Sequence, residues 1–359
     1  MKYIDEYRNK EHVDFLLGQI KKVSCRPVTL MEVCGGHTMA IQKFGIPSLL
    51  PPGVKLISGP GCPVCVTGRD YIDRAIAYSR LENVIIATFG DLIRVPGSTS
   101  TLEQEKASGM DIRIVYSILD ALEIARQNRN RQVVFLGIGF ETTSPGTAAG
   151  LITARKEGIG NFYVYSSHKV MPPAMSALVD EGVKIDGYIA PGHVSTITGS
   201  KIYLPLAEKY GLGVVVSGFE PVDILSSVLM LVRQIENSEP AVEIQYKRAV
   251  KPEGNLIAQQ MLAEVFEPAD DKWRGLGTLP ASGLSVREKY SSFNALHILD
   301  VEVEPEREDK GCICGNILKG MNNPKDCKLF GVVCTPADPV GACMVSHEGA
   351  CNAFYRYNR

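Results

Sequence analysis

From Val28 onward the chain repeats one pattern: a short unbroken apolar run, a glycine- or proline-rich loop, then apolar residues at helical spacing. Residues 28–33, 54–57, 84–88 and 112–115 read as strands, and 69–79 and 117–127 as helices. The pattern then restarts, with strands expected at 133–138, 162–165, 188–190 and 214–216. Helices are expected at 147–155, 174–180, 201–210 and 222–237. Continuous apolar strands alternating with helices indicate parallel sheets covered on both faces. The expectation is an α/β protein with two similar parallel-sheet domains, residues 24–128 and 129–250, joined near 127–132. No residue-level repeat relates the two halves.

Past residue 251 the rhythm changes, and residues 251–359 are expected to form a separate C-terminal domain. It holds a helix at 255–265, a glycine- and proline-rich stretch at 273–283, an acidic link at 302–310 and six of the ten cysteines. The lone Trp273 is expected to pack in a core.

Polar and small residues gather in the loops after the strands: CGGHT (34–38), GPGCPVC (59–65), FGDLIRVPG (89–97), GFETTSPG (139–146), SSHKVMPP (166–173), PGHVS (191–195) and SGFEPVD (217–223). Open parallel sheets bind ligands at that edge, because strand ends and helix N-termini meet there. Two such edges facing each other would enclose a cleft.

Composition narrows the chemistry. With 45% apolar and 22% charged residues, the 359-residue chain has material for buried cores. A net charge of −2 provides no basic field for a nucleic-acid backbone. The mixed-charge N-terminus does not read as a secretion signal, and no apolar run approaches the ~20 residues that span a bilayer. A cytoplasmic protein is expected. In that compartment ten cysteines point to metal ligation or redox chemistry rather than a disulfide framework.

The tail cysteines are Cys312, Cys314, Cys327, Cys334, Cys343 and Cys351. They lack the paired C-x₂₋₄-C knuckles of a zinc site, whereas an iron–sulfur cluster takes four thiolates and tolerates irregular spacing. Both metals remain candidates. In Cys312-Ile313-Cys314, alternate side chains of an extended segment would point to opposite sides. Cys62 and Cys65 form a C-x-x-C pair where a helix should begin, a position that stabilises a thiolate; half a zinc site or two buried thiols is the plainer alternative. Cys34, followed by two glycines and His37, has room for a bulky ligand and a nearby group to tune the thiol. Cys25 has no such company and reads as structural. Glu141, Thr142 and Thr143 precede a helix, where they could cap it, cradle an anion or move a proton. His168 and His193 are equally suited to orienting loops and to reacting.

Together CGGHT, GPGCPVC, GFETTSP, PGHVS and the final CMVSHEGACNAFYRY resemble the HypD family of hydrogenase maturation proteins, from about Val28 to the C-terminus. The resemblance implies a scaffold for the Fe(CN)₂CO unit of nickel–iron hydrogenase, working with a HypC-type small chaperone and a HypE-type cyanide donor. It implies iron held by Cys34 with His37 beside it, and a redox dithiol at Cys62/Cys65. Glu141, Thr142 and Thr143 would line the far side of the same cleft. A [4Fe–4S] cluster would sit on Cys312, Cys327, Cys334 and Cys351, as in ferredoxin:thioredoxin reductase, with Cys314 and Cys343 as an adjacent redox pair. An iron–sulfur thiol–disulfide reductase with no iron cargo, and a zinc-stapled binding scaffold, are the alternative functions.

Overall fold

The computed structural model describes residues 5–307 and 311–358, so the last three residues of the acidic link lie outside the described residues. Eleven strands follow in order: β1 (Val28–Glu32), β2 (Val54–Ser58), β3 (Val84–Thr88), β4 (Ile112–Ile114), β5 (Gln132–Gly139), β6 (Phe162–His168), β7 (Gly187–Pro191), β8 (Gly213–Ser217), β9 (Val242–Ile244), β10 (Phe266–Trp273) and β11 (Gly277–Val286). The first eight coincide with the apolar runs to within three residues at either end. The α/β reading holds: two all-parallel sheets form, in the orders β2-β1-β7-β8-β9 and β4-β3-β5-β6.

The strands do not divide at 128/129 as expected. β1 pairs with β2 on one side and with β7 on the other, while β3 to β6 make a sheet of their own. The segment carrying that second sheet is thus inserted between the two parts of the first. An apolar run looks the same whichever sheet it joins, so strand order was not legible.

β3, β7 and β8 are buried at every position, as strands of a sheet covered on both faces are, and alternate side chains enter different clusters. Met31, Tyr188 and Val214 of one sheet and Ile86, Val134 and Leu136 of the other contribute to a single buried cluster. Ile85, Val133 and Phe135 face a second cluster against the helices Ile118–Gln127 and Ser144–Glu157. Leu30, Ile189 and Val215 face a third, covered by Pro221–Asn237 and by Lys10–Val23. That last helix was missed in the mixed-charge N-terminus, although Val13, Leu16, Leu17 and Ile20 give it an apolar stripe.

The tail shares the central cluster through Trp273, Leu276, Cys314, Cys343 and Cys351, rather than forming a core apart. Its glycine-rich stretch folds into the antiparallel hairpin β10–β11, also unforeseen. Isolated bridges tie Trp273 to Thr67 and Gly283 to Lys169. The buried Lys169 ammonium pairs with Asp271 at 2.6 Å and lies 5.3 Å from the Trp273 ring, so Trp273 is a packing residue as expected. Among the described residues no helix is long and apolar enough to cross a membrane.

Candidate functional site

Each parallel sheet has a topological switch point, where the chain leaves one strand outward and later restarts on its other side. In the first sheet this lies between β1 and β7, in the second between β3 and β5. Loops at the carboxyl ends of such strands diverge and leave a crevice. Cys34 and His193 stand at the first switch point and Glu141 at the second.

Cys34 is half-buried and occupies the N-cap of the helix Gly35–Lys43. Its loop is held by a residue that the sequence reading missed. Glu32, 1% exposed at the end of β1, accepts the Cys34 N–H at 3.0 Å and the Thr38 hydroxyl at 2.5 Å. A carboxylate inside an apolar strand was the available signal. Burial raises Glu32 to about 7, against the opposing effect of these hydrogen bonds. Burial, reinforced by Glu348, pushes the Cys34 thiol up to about 12, while the amides of His37 and Gly36 act in the opposite sense. The loop after β2 closes on the same spot: Gly35 N–H donates to Gly61 O, and a Cβ at Gly61 would fall 2.1 Å from the Cys34 nitrogen. Only glycine permits that approach.

His37 is fully buried. Its Nε2 donates to the Gly218 carbonyl at 2.9 Å, and its ring stacks on Phe219, with centroids 4.6 Å apart. His193 stacks on Phe219 at 3.9 Å, so the phenyl ring joins the two histidines. Among the described residues the buried His37 Nδ1 has no partner, and burial lowers the ring to about 4. The residue is therefore a neutral ring held by the β8 loop. His168, between Thr147 and Ser166 hydroxyls at 3.1 and 2.9 Å, is a buried brace.

Glu141 turns inward. One carboxylate oxygen accepts the Met171 N–H at 2.9 Å, and the other, Oε2, is buried with no partner among the described residues. Burial raises the group to about 7, within reach of proton transfer at neutral pH. Burial raises the Tyr203 hydroxyl, which bonds with the Ser195 hydroxyl at 3.1 Å and also feels the charges of Glu141 and Cys34. Thr142 is exposed, and Thr143 bonds back to the Phe140 carbonyl at 3.2 Å.

The sulfurs form a line. Cys62 is the N-cap of the single-turn helix Pro63–Val66 and Cys65 lies within it, with their sulfurs 2.6 Å apart. Burial raises Cys65 well above an ordinary thiol, contrary to the stabilised thiolate expected at a helix start; one turn of helix is too little to offset desolvation. Cys65 touches Cys343 of the tail, and Cys343 lies 2.7 Å from Cys314. All ten cysteines lie among the described residues, and none is in a disulfide. Cys25 lies exposed after the N-terminal helix, apart from this line.

All six tail cysteines line one cavity with Ile317, Leu329, Phe330 and Met344. Cys351 feels the charges of Cys314, Cys334, Cys312 and Cys327, and Cys334 those of Cys312 and Cys327. The backbone narrows where a group must fit: a Cβ at Gly341 would come within 2.7 Å of the Cys312 sulfur. The chain is not extended at Ile313, and Cys312 and Cys314 face each other rather than opposite ways. Among the described residues no three His, Cys, Asp or Glu side chains converge as a single-ion site. A sulfur-lined apolar cavity fits a cluster, which places several iron atoms between its thiolates, better than one zinc ion.

The profile described as HypD, hydrogenase formation hypA family, matches residues 11–358. A hydrogenase expression/formation protein of Methanocaldococcus jannaschii is 48% identical over 330 residues, 92% of this chain and 92% of that protein. The hydrogenase maturation factor HypD of Rhodobacter capsulatus is 45% identical over 370 residues, 99% of this chain and 98% of its own. That of Cupriavidus necator is 44% identical over 371 residues, covering 100% and 98%. The match runs from the N-terminal helix through the last helix of the tail, and the chain belongs to the HypD family of hydrogenase maturation factors.

Proposed function

We propose that this chain is the scaffold on which the Fe(CN)₂CO unit is assembled, holding the iron at Cys34 and supplying electrons for cyanide transfer through its thiols. The observation that carries the reading is the line of sulfurs from Cys62 and Cys65 through Cys343 and Cys314 to the six-cysteine cavity. It ends beside Cys34, because the loop bearing Cys62 packs on the Cys34 backbone.

Low-spin iron with cyanide and CO ligands suits a soft thiolate, and Cys34 supplies one in a glycine-flanked loop. Cleaving the S–C bond of a thiocyanate on a HypE-type donor takes two electrons and yields cyanide and a thiolate. Cys62 and Cys65 yield two electrons on closing to a disulfide. Thiol–disulfide exchange through Cys343 and Cys314 restores the pair. A [4Fe–4S] cluster bound by Cys312, Cys327, Cys334 and Cys351 would supply electrons singly. Glu141, half-protonated near neutral pH, holds or releases a proton at its unpartnered Oε2. A HypC-type chaperone completes the iron coordination from the Cys34 side and later carries the iron away.

Infrared spectroscopy of the protein isolated anaerobically with its partner tests the reading. Bands of metal-bound cyanide and CO, lost in Cys34→Ala with the iron–sulfur absorption retained, are expected. A protein with redox-active thiols but no such bands in any preparation would instead be a thiol–disulfide reductase.

A further inference from the structure

We propose that a basic pocket outside the sulfur cavity admits a small anionic thiol, which recharges the Cys314–Cys343 pair directly from solvent. The inference rests on the thiol relay above and adds its outer entrance. This pocket, of about 450 Å³, includes Cys312, Cys314 and Gly341 in its wall. The same three residues line the inner cavity, so a wall one residue thick separates solvent from the sulfurs. The volume suits a small molecule rather than a folded domain.

Glycines keep that wall thin. Gly275, at φ +83°, lies so close to Gly315 that a Cβ would fall 2.4 Å from the Gly315 Cα. The Gly275 backbone thus packs directly on the start of the helix Cys314–Leu318, with no side chain between the two. The charged lining is Arg69, Lys272, Arg274 and Glu306. Lys272 already pairs with Glu306. Arg274 donates from Nε to the Thr67 carbonyl at 3.1 Å, but its Nη2 is buried without a partner among the described residues. A buried, unpaired guanidinium nitrogen is costly unless an acceptor arrives, and an anion supplies one.

The redox pair is polarised across this wall. Cys314 lines the outer pocket; Cys343, 1% exposed, does not, and instead touches Cys65. An entering thiolate RS⁻ therefore attacks the Cys314 sulfur of a Cys314–Cys343 disulfide, giving Cys314–S–S–R and a Cys343 thiolate. Cys343 attacks Cys65 of a Cys62–Cys65 disulfide, releasing the Cys62 thiolate. A second RS⁻ attacks the outer mixed disulfide, giving RSSR and a Cys314 thiolate. That thiolate displaces Cys65 and restores Cys314–Cys343. Two RSH become RSSR, and their two protons and two electrons end on Cys62 and Cys65.

The test uses the full chain, oxidised to both disulfides under conditions verified by mass spectrometry. It is exposed to glutathione, an anionic thiol, or to cysteamine, a cationic one, at equal thiolate concentration, then quenched with iodoacetamide. Opening of the Cys314–Cys343 disulfide is expected about tenfold faster with glutathione, read as a transient adduct on Cys314 followed by loss of the Cys62–Cys65 disulfide. Arg274→Gln should bring the ratio toward one, by slowing glutathione and easing the repulsion of cysteamine. The wild-type comparison stands even if that variant folds poorly. Equal or inverted rates, an adduct first on Cys343 or Cys65, or reduction only by a protein dithiol would overturn the proposal. If Cys314–Cys343 is reduced with the expected charge preference but Cys62–Cys65 stays oxidised, the entrance stands and the relay fails.

Discussion

Glu141→Gln isolates the cost of keeping a carboxylate with one unpartnered oxygen inside the protein. The group rises from 4.5 to about 7 because burial disfavours its charged form, and the Met171 N–H only partly opposes this. The native state therefore holds a proton that the unfolded chain has released. The associated stability is fully present below pH 4.5 and is lost as pH rises through about 7. At about 1.4 kcal/mol per tenfold, the loss reaches about 3 kcal/mol well above neutrality. Glutamine keeps the acceptor for Met171 and cannot ionise. Between pH 5 and pH 8 the wild type should lose about 2–3 kcal/mol relative to the Glu141→Gln protein.

Anaerobic urea unfolding followed by the fluorescence of the single Trp273 measures this. Trp273 is 1% exposed and 5.9 Å from the Phe140 ring, so it reports on the same loop. The variant should match the wild type to within about 1 kcal/mol near pH 5. It should exceed it by about 2–3 kcal/mol near pH 8. A stability difference that stays flat across that range would show that Glu141 is ionised and solvated, and would remove it from proton transfer.

Gly61→Ala forces a Cβ to 2.1 Å from the Cys34 nitrogen, and should lower stability by about 1–3 kcal/mol in thermal unfolding; unchanged stability would mean the two loops can separate freely. Glu32→Ala strands the Cys34 N–H and leaves the Thr38 hydroxyl only its longer bond to the Cys34 carbonyl, at a cost of about 2 kcal/mol, and Glu32→Gln should recover most of it. Phe219→Ala removes the ring stacked on both His37 and His193; NMR titration should then find His37 rising from about 4 toward an ordinary histidine, and an unmoved value would remove Phe219 from its burial. Serine at Cys312, Cys327, Cys334 or Cys351 should abolish iron–sulfur absorption, whereas Cys314→Ser and Cys343→Ser should leave it nearly unaltered; the reverse pattern would reassign the ligands.

The elements were legible because fully buried parallel strands need unbroken apolar runs, and Val84–Thr88 and Arg69–Ser79 fall where the pattern puts them. Their partners were not. Pairing of β1 with β7 joins Leu30 to Gly187, a choice made by packing that leaves no mark in either run. The hairpin β10–β11 was hidden by its glycines and prolines and by a register shift between Ala269 and Asp271. Cys34, Cys62 and Cys65 announced themselves by rare residues in glycine-rich loops. Tyr203 and Phe219 did not, because each works through neighbours supplied by other strands, whereas Glu32 serves Cys34 and Thr38 of its own loop and its carboxylate in an apolar strand was the signal overlooked.

That dependence on strand order explains why the chemistry gathers where it does. A switch point exists only once β7 has returned to the free side of β1, and β5 to that of β3. Cys34 and Glu141 therefore acquire their switch-point neighbours late in chain order, from residues far from their own loops. The tail completes the arrangement. A Cβ at Gly349 would meet the Cys343 carbonyl at 2.2 Å and the Cys65 sulfur at 3.0 Å, so the SHEGAC turn fits against the CPVC loop only with glycine there. The neighbouring Glu348 fits over Gly35 in the same way, since a Cβ there would lie 2.4 Å from the Glu348 Cβ. One turn of the tail thus packs on both the dithiol and the Cys34 loop. It places Cys343 beside Cys65 and an acidic side chain beside Cys34 at once. Those few residues thus bring the Cys65 and Cys343 sulfurs and the charge beside Cys34 under one turn of the tail, although the loops that carry them belong to different parts of the chain.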